Sequence, residues 1–289
     1  MIPEKLDTSK IRKLLFLGPR GSYSDFAKNK FIDAFDLNCV STNLKSISGI
    51  IKALKDENNE DMAAVIPIEN SIEGIVRETL DNLSSLKKEG FKIIAETTLN
   101  VEHALIGFCD KKSEIKIVRS HPQALAQCKR YLQANFADSL IEEATLSTSA
   151  AIRSLSKEEP SIAAIGSVEC ARMYDIPVVE EKINDEENNQ TRFIFLGKFL
   201  APQTGKDKTS ITFSTENKAG ALSKILTILE ENNINMSYID SRPSKKELGE
   251  YVFYIDFEGH INDEKVQKAF DKIKPLVKMF YVIGSYHTV

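Results

Sequence analysis

The stretch Asn189-Gln190-Thr191-Arg192-Phe193-Ile194-Phe195-Leu196-Gly197 passes from two amides, through a hydroxyl and a guanidinium, into an apolar run. A polar, acidic segment at 180–188 precedes it, so it reads as a loop feeding a strand, with Thr191 and Arg192 at the junction. A hydroxyl and a guanidinium side by side at a strand end can both face a cleft or its wall. Taken alone they need no function, because Thr favours strands and Arg often caps a sheet edge with its charge in water. The segments upstream change the odds.

Across 14–199 one theme returns: an apolar strand-like run, then small polar residues, then a helical pattern. Leu14-Leu15-Phe16-Leu17 leads to Gly18-Pro19-Arg20-Gly21-Ser22-Tyr23-Ser24. Ala63-Ala64-Val65-Ile66-Pro67-Ile68 leads to Glu69-Asn70-Ser71-Ile72-Glu73-Gly74, and Ile115-Lys116-Ile117-Val118 leads to Arg119-Ser120-His121-Pro122-Gln123. Ser147-Thr148-Ser149 opens a helix, and Ile162-Ala163-Ala164-Ile165 leads to Gly166-Ser167. Strands alternating with helices imply an α/β fold built mainly on parallel sheet. In such sheets ligands bind in the crevice outside the strand C-termini, where helix N-termini present unpaired N–H groups suited to an anion. Here those termini carry hydroxyls and amides rather than a lysine cluster, which fits a small carboxylate better than a polyphosphate. Gly18-Pro19-Arg20-Gly21 is neither a dinucleotide fingerprint nor a P-loop. Each piece has an ordinary reading too: Ser120 or Ser147 as a helix cap, Gly74 as a packing glycine, Cys128 as a small buried hydrophobe.

At 289 residues the chain suggests two domains, or three. Its net charge of -4 offers no electrostatic footprint for nucleic acid. No apolar run approaches the ~20 residues of a membrane span, and the first residues do not read as a secretory signal. The four cysteines lie far apart without a CxxC pair, so reduced thiols in a cytoplasmic protein are expected, with neither metal nor disulfide.

The quoted pieces, in this order and spacing, resemble the monofunctional prephenate dehydratases, and the resemblance runs along essentially the whole chain. Ser22 stands where that family usually has Thr, so the hydroxyl is kept. The resemblance implies a catalytic region of two α/β lobes, similar to a periplasmic-binding-protein fold, with the active site between them. It covers residues 12–198. Only about a dozen residues precede that region, so the helical chorismate mutase that some relatives carry is not expected. The reaction implied is prephenate to phenylpyruvate with loss of carbon dioxide and water, in phenylalanine biosynthesis, without metal or organic cofactor. By the same resemblance Thr191 is the donor to the departing hydroxyl. Glu69 is its rival, since a carboxyl buried near substrate carboxylates would be held protonated. Asn70, Ser71, Ser120, Gln127, Arg192, Ser22 and Thr148 are the expected substrate-holding residues. Gln127 lies about two helical turns beyond Ser120, so both could share a side; for Arg192 a structural role between lobes stays open.

Residues 199–208, with Pro202 and Gly205, read as a linker. From 209 to 289 the order is strand, helix, strand, strand, helix, strand, the ferredoxin-like arrangement. Within it Asn217-Lys218-Ala219-Gly220-Ala221-Leu222 and Ile239-Asp240-Ser241-Arg242-Pro243 resemble the two motifs of the ACT regulatory domain. Asp240 stands where Glu is usual. The resemblance implies feedback inhibition by L-phenylalanine bound at a subunit interface of a homodimer or homotetramer. Asn217, Ala219, Gly220, Ala221, Leu222, Ser237, Asp240, Ser241 and Arg242 are the expected effector residues. Two other functions stay open: arogenate dehydratase, acting on the aminated analogue, and a non-catalytic amino-acid or keto-acid sensor on the same two-lobed fold.

Overall fold

The structure, a computed structural model, describes residues 8–56, 60–136, 139–244 and 250–289. The first lobe opens with β1 (Lys13–Leu17), α1 (Tyr23–Phe35), β2 (Val40–Leu44), α2 (Ile47–Lys55) and β3 (Met62–Asn70), the three strands running parallel with β1 in the middle. A short β4 (Gly74–Ile75) folds back on β3, and α3 (Arg77–Leu83) leads to β5 (Lys92–Asn100). The second lobe contains β6 (Ala104–Gly107), β7 (Ile117–Ser120), α4 (Pro122–Gln127), α5 (Lys129–Asn135), β8 (Ile141–Ala144), α6 (Thr148–Arg153), β9 (Ile162–Gly166), α7 (Val168–Met173) and β10 (Val178–Glu180). Its five strands lie in the order β10-β6-β9-β7-β8. The chain then returns to the first lobe as β11 (Gln190–Gly197), between β3 and β5.

Each sheet is mixed rather than mainly parallel as the alternation leads one to expect, and the two crossings between lobes are the reason. The chain leaves the first lobe at the end of β5 and re-enters beside that point, where Gln190 pairs with Asn100. A strand that starts where its neighbour ends must run antiparallel. The same holds for β6 against β9 and for β10 against β6. The two crossings are tied side by side: Val101 N–H donates to Asn189 O at 2.8 Å, and Ile183 N–H donates to His103 O at 2.9 Å. They form a two-stranded waist, with a cleft between the lobes on one side of it.

Local sequence explains the helix starts that edge this cleft. Ser22 caps α1, Ser147 caps α6 and Ser167 caps α7, each hydroxyl accepting a first-turn N–H. Such a cap contributes about 1 kcal/mol. At α4 the cap is His121 rather than Ser120, with Pro122 in the first turn, where its missing N–H costs nothing.

The last third comprises β12 (Lys208–Ser214), α8 (Ala221–Glu231), β13 (Met236–Pro243), β14 (Tyr251–Glu258), α9 (Glu264–Ile273) and β15 (Met279–Thr288). Its strand order, β13-β14-β12-β15, is ferredoxin-like. Its sheet does not stop there. The far end of β15 pairs in parallel with β5, so both regions share one ten-stranded sheet. Tyr254, Ile283 and Tyr286 from the last third are buried in one apolar cluster with Leu15, Ile66, Leu80, Ile93 and Ile194 of the first lobe. Residues 199–208 are packed in place: Ala201 is buried in that cluster, and Asp207 accepts the N–H groups of Thr204 and Gly205 at 2.9 Å each. Among the described residues no helix is long and apolar enough to cross a membrane.

Candidate active site

Thr191 and Arg192 go to opposite faces of β11, as successive residues of a strand must. Thr191 pairs across the ladder with Asn70, and Arg192 pairs with Glu69. Directly opposed residues share a face. One face therefore carries Thr191 and Asn70 toward the cleft, and the other carries Arg192 and Glu69 away from it.

The cleft face holds a cavity of 270 Å³. Asn70, Thr191 and Tyr23 of the first lobe and Asn189 of the crossing meet His121, Gln127, Ser147 and Thr148 of the second lobe there, with His103 at the waist. No Asp, Glu, Lys or Arg lines it, so its described walls are uncharged but for what histidine can carry. Leu146, 96% exposed, stands at the rim. Tyr23 donates to Glu102 O at 2.6 Å, and burial, with Glu169 and Glu102 nearby, pushes its phenol above the ordinary value, so it stays protonated.

Asn70 organises this face. Its Oδ1 accepts the N–H groups of Ile72 and Glu73, both at 3.0 Å. Its Nδ2 donates to Asn189 Oδ1 at 2.8 Å, to Gln190 O at 3.1 Å and to Thr191 Oγ1 at 2.9 Å. A hydroxyl that accepts from an amide N–H keeps its own proton for another partner. Asn189 Nδ2 in turn donates to Gln127 Oε1 at 3.1 Å. Gln127 Nε2 has no hydrogen-bond partner among the described residues. Two donors, the Thr191 hydroxyl and the Gln127 amide, are thus left over at the cavity wall.

Asn70, Gln127, Thr148 and Thr191 are brought together as the sequence leads one to expect; five other expected residues are not. Glu69 Oε2 lies 3.0 Å from Arg192 Nε, an ion pair on the face away from the cavity. Arg192 Nη1 also lies 3.0 Å from Glu96 and 2.9 Å from Asp256, so its guanidinium ties β3, β5 and β14 together on the face away from the cavity. Burial opposes the Arg192 charge, but Tyr286, Asp256, Tyr254 and Glu96 around it outweigh burial and hold the pKa above its ordinary value. Ser120 is fully buried, its hydroxyl donating to Ile165 O at 2.7 Å. It ends β7 while α4 starts at Pro122, so the helical spacing to Gln127 does not apply. Ser22 is spent as the α1 cap, and Ser71 bridges Asn188 O and Gln190 N at 2.8 and 2.9 Å. Cys128 is buried with its thiol pushed up to about 12 by burial, the inert hydrophobe its surroundings imply.

Six polar lining residues were missed by the sequence reading: Tyr23, His103, His121, Gln123, Ser147 and Asn189. Asn189 and Ser147 lie inside motifs already singled out, one position from Gln190-Thr191 and from Thr148. His103 follows a strand end in Val101-Glu102-His103, and nothing local separates it from an ordinary core histidine.

The expected effector residues fall into two groups. Ala219 and Ala221, with Lys218, Lys224 and residues 275–278, line a surface cavity of 350 Å³. Asn217 and Leu222 flank it without lining it. Gly220 caps α8 at φ 78°, a left-handed conformation that favours glycine, while a side chain there would meet open space. Along β13 the alternation splits the second motif. Asp240 and Arg242 pair with each other at 2.9 Å on the side facing Asp81 of α3, and Ser237 and Ser241 are exposed on the other.

Residues 14–199 match the prephenate dehydratase family, and residues 209–275 match the ACT domain. A prephenate dehydratase of Methanocaldococcus jannaschii is 40% identical over 279 residues, covering 95% of this chain and 98% of its own. Among solved structures, a prephenate dehydratase from Arthrobacter aurescens in complex with L-Phe is similar with a TM-score of 0.81 at 29% identity, over 95% of this chain and 89% of that one. GqqA, described as a quorum quenching acylase, is similar with a TM-score of 0.80 at 23% identity, over 96% of this chain and 98% of its own, a likeness of fold alone. A family match across more than half the chain, with a relative 40% identical along nearly all of it, makes this chain a member of the prephenate dehydratase family.

Proposed function

We propose that the cleft performs the family's reaction on prephenate, with Thr191 as the hydrogen-bond donor to the departing ring hydroxyl. The observation that carries this role is the 2.9 Å contact in which Thr191 Oγ1 accepts from Asn70, which frees its proton to donate into the cavity. In the reaction the electron pair of the ring carbon–carboxylate bond moves into the ring, and the ring C–O bond breaks. Carbon dioxide and hydroxide leave, the latter becoming water on protonation. A fixed donor aimed at the departing oxygen stabilises the charge that develops there. The described walls supply no lysine or arginine to the carboxylate that is lost, so its charge is less well stabilised than in water, which favours its departure. Gln127 Nε2 and the hydroxyl of Thr148 hold the substrate by neutral hydrogen bonds. Glu69, paired with Arg192 on the other face, fits a proton donor less well than Thr191.

Arogenate differs from prephenate in carrying an ammonium group. None of the lining residues is a carboxylate that would pair with it, which favours prephenate. For the last third, phenylalanine acts as the effector, seated at the 215–222 loop against β13 of a second copy in a cytoplasmic homodimer or homotetramer. The support is the ACT match, the phenylalanine-bound relative, and β13 itself, an edge strand whose outer side is unpaired among the described residues.

Purified protein incubated with prephenate should yield phenylpyruvate, read by its absorbance in alkali, and phenylalanine should slow that reaction. Conversion of arogenate with an equal or higher kcat/KM would reverse the substrate assignment. Absence of product from either would leave a binding function.

A further inference from the structure

His103 stands at the far end of the amide chain that begins at Asn70. It is 3% exposed, its Nε2 lies 3.0 Å from Gln127 Oε1, and its Nδ1 is buried without a hydrogen-bond partner among the described residues. Reading the chain from its anchor assigns every atom in it. The Ile72 and Glu73 N–H groups can only donate, so Asn70 presents its oxygen to them and its nitrogen to Asn189. Asn189 must then answer with its oxygen and turn its nitrogen toward Gln127. Gln127 must answer with its oxygen, and that same oxygen faces His103 Nε2. Two acceptors cannot face each other, so Nε2 carries the imidazole proton. Burial lowers the basicity of this ring, which keeps it neutral and leaves Nδ1 bare.

We propose that His103 is a positioning residue for the dehydratase reaction: its Nε2–H holds Gln127 so that the Gln127 NH2, and not its oxygen, faces the substrate carboxylate. This rests on the dehydratase reading of the cleft. Gln127 Oε1 is fixed by two donors, one from each side, Asn189 and His103. With the His103 donor gone, only the Asn189 bond still demands the oxygen, so a turned-over amide forfeits one hydrogen bond instead of two and becomes more populated. An amide oxygen would then meet a carboxylate, a repulsion where an attraction belongs. A leucine or phenylalanine would fill the space of His103 without an unpaired nitrogen, so packing alone does not account for an imidazole here.

A double-mutant cycle tests this role. His103→Leu removes the donor, and His103→Gln places an amide nitrogen where Nε2 lies; each is made alone and with Gln127→Ala, and kcat, KM for prephenate and melting temperature are measured. His103→Leu should raise KM by roughly tenfold, the scale of one lost hydrogen bond, with a smaller change in kcat. His103→Gln should restore most of that loss. With Gln127→Ala already present, His103→Leu should leave KM within about twofold, because nothing remains for it to position. Should His103→Leu fail to fold, His103→Asn replaces it: its amide reaches only the Nδ1 position and should not rescue. Equal costs of the His103 change with and without Gln127, or a His103→Gln as poor as His103→Asn, would overturn the role while leaving the dehydratase reading intact. A wild-type chain that does not turn over prephenate would overturn both.

Discussion

Arg192 is surrounded by Glu69 and Glu96 at 3.0 Å each and by Asp256 at 2.9 Å. Removing the guanidinium that these carboxylates share would leave Asp256, 1% exposed, without this cation, and Glu96, 4% exposed, with Lys208 still beside it. Glu96 shows the balance: burial would raise its pKa, but Lys208 and Arg192 outweigh burial and hold it below the ordinary value. Breaking a buried pair on one side costs about 3–5 kcal/mol. Arg192→Ala should therefore lower the melting temperature strongly, as read by calorimetry, whereas Thr191→Val one position away should barely move it. An Arg192→Ala protein as stable as wild type would mean that the guanidinium does not hold these strands together as described. The neighbours have unrelated tasks because the strand sends them to opposite faces, and which face is which depends on pairing with β3, 120 residues away in sequence. No local pattern carries that register. The motif therefore made Thr191, Asn70, Gln127 and Thr148 legible, while Glu69, Arg192 and Ser120, close beside them, could not be sorted from the cleft. His103 was invisible for a different reason: its significance lies in one contact to Gln127, which only the fold supplies.

Among the elements, β15 departs most from its sequence. The apolar run at 280–283 marks a short last strand, yet the strand runs from Met279 to Thr288. Its polar end, Ser285-Tyr286-His287-Thr288, finds a partner in β5 of the first lobe. That pairing joins residues about 190 apart, beyond the reach of any periodicity argument. Gly284 sits at the register shift, against the Ile93 backbone. A Cβ at 284 would collide with main-chain atoms, which cannot move aside as a flexible side chain can. Gly284→Ala should thus destabilise the junction by about 1–3 kcal/mol, the cost of overpacking a close-packed site. Hydrogen exchange should show it first at the amides of 93–96 and 284–288. Unchanged protection there would mean that β15 and β5 are not held together as described. The helix starts were easier to read, since Ser22, Ser147 and Ser167 mark α1, α6 and α7 within a single turn of sequence.

For the whole molecule, the alternation of strands and helices made the α/β character of the first two-thirds and the βαββαβ third readable, because each pattern is local, whereas the division into two lobes was implied by the family resemblance alone. The way the two regions join was not readable. One ten-stranded sheet and one apolar cluster run through the first lobe and the ACT region, and Arg192 connects the strand of Thr191 to Asp256 of β14. The proposed phenylalanine effect, at the usual coupling of about 1–3 kcal/mol, has a continuous packed route from the last third to the cleft. The central claim, however, is that Thr191 supplies a hydrogen bond made chiefly in the transition state. The most direct test is kcat and KM of Thr191→Val on prephenate, with the melting temperature as a check of folding. A donor of this kind lost from the transition state should lower kcat by roughly 10²–10⁴-fold and leave KM nearly unchanged. A folded Thr191→Val protein with near wild-type kcat would contradict the claim.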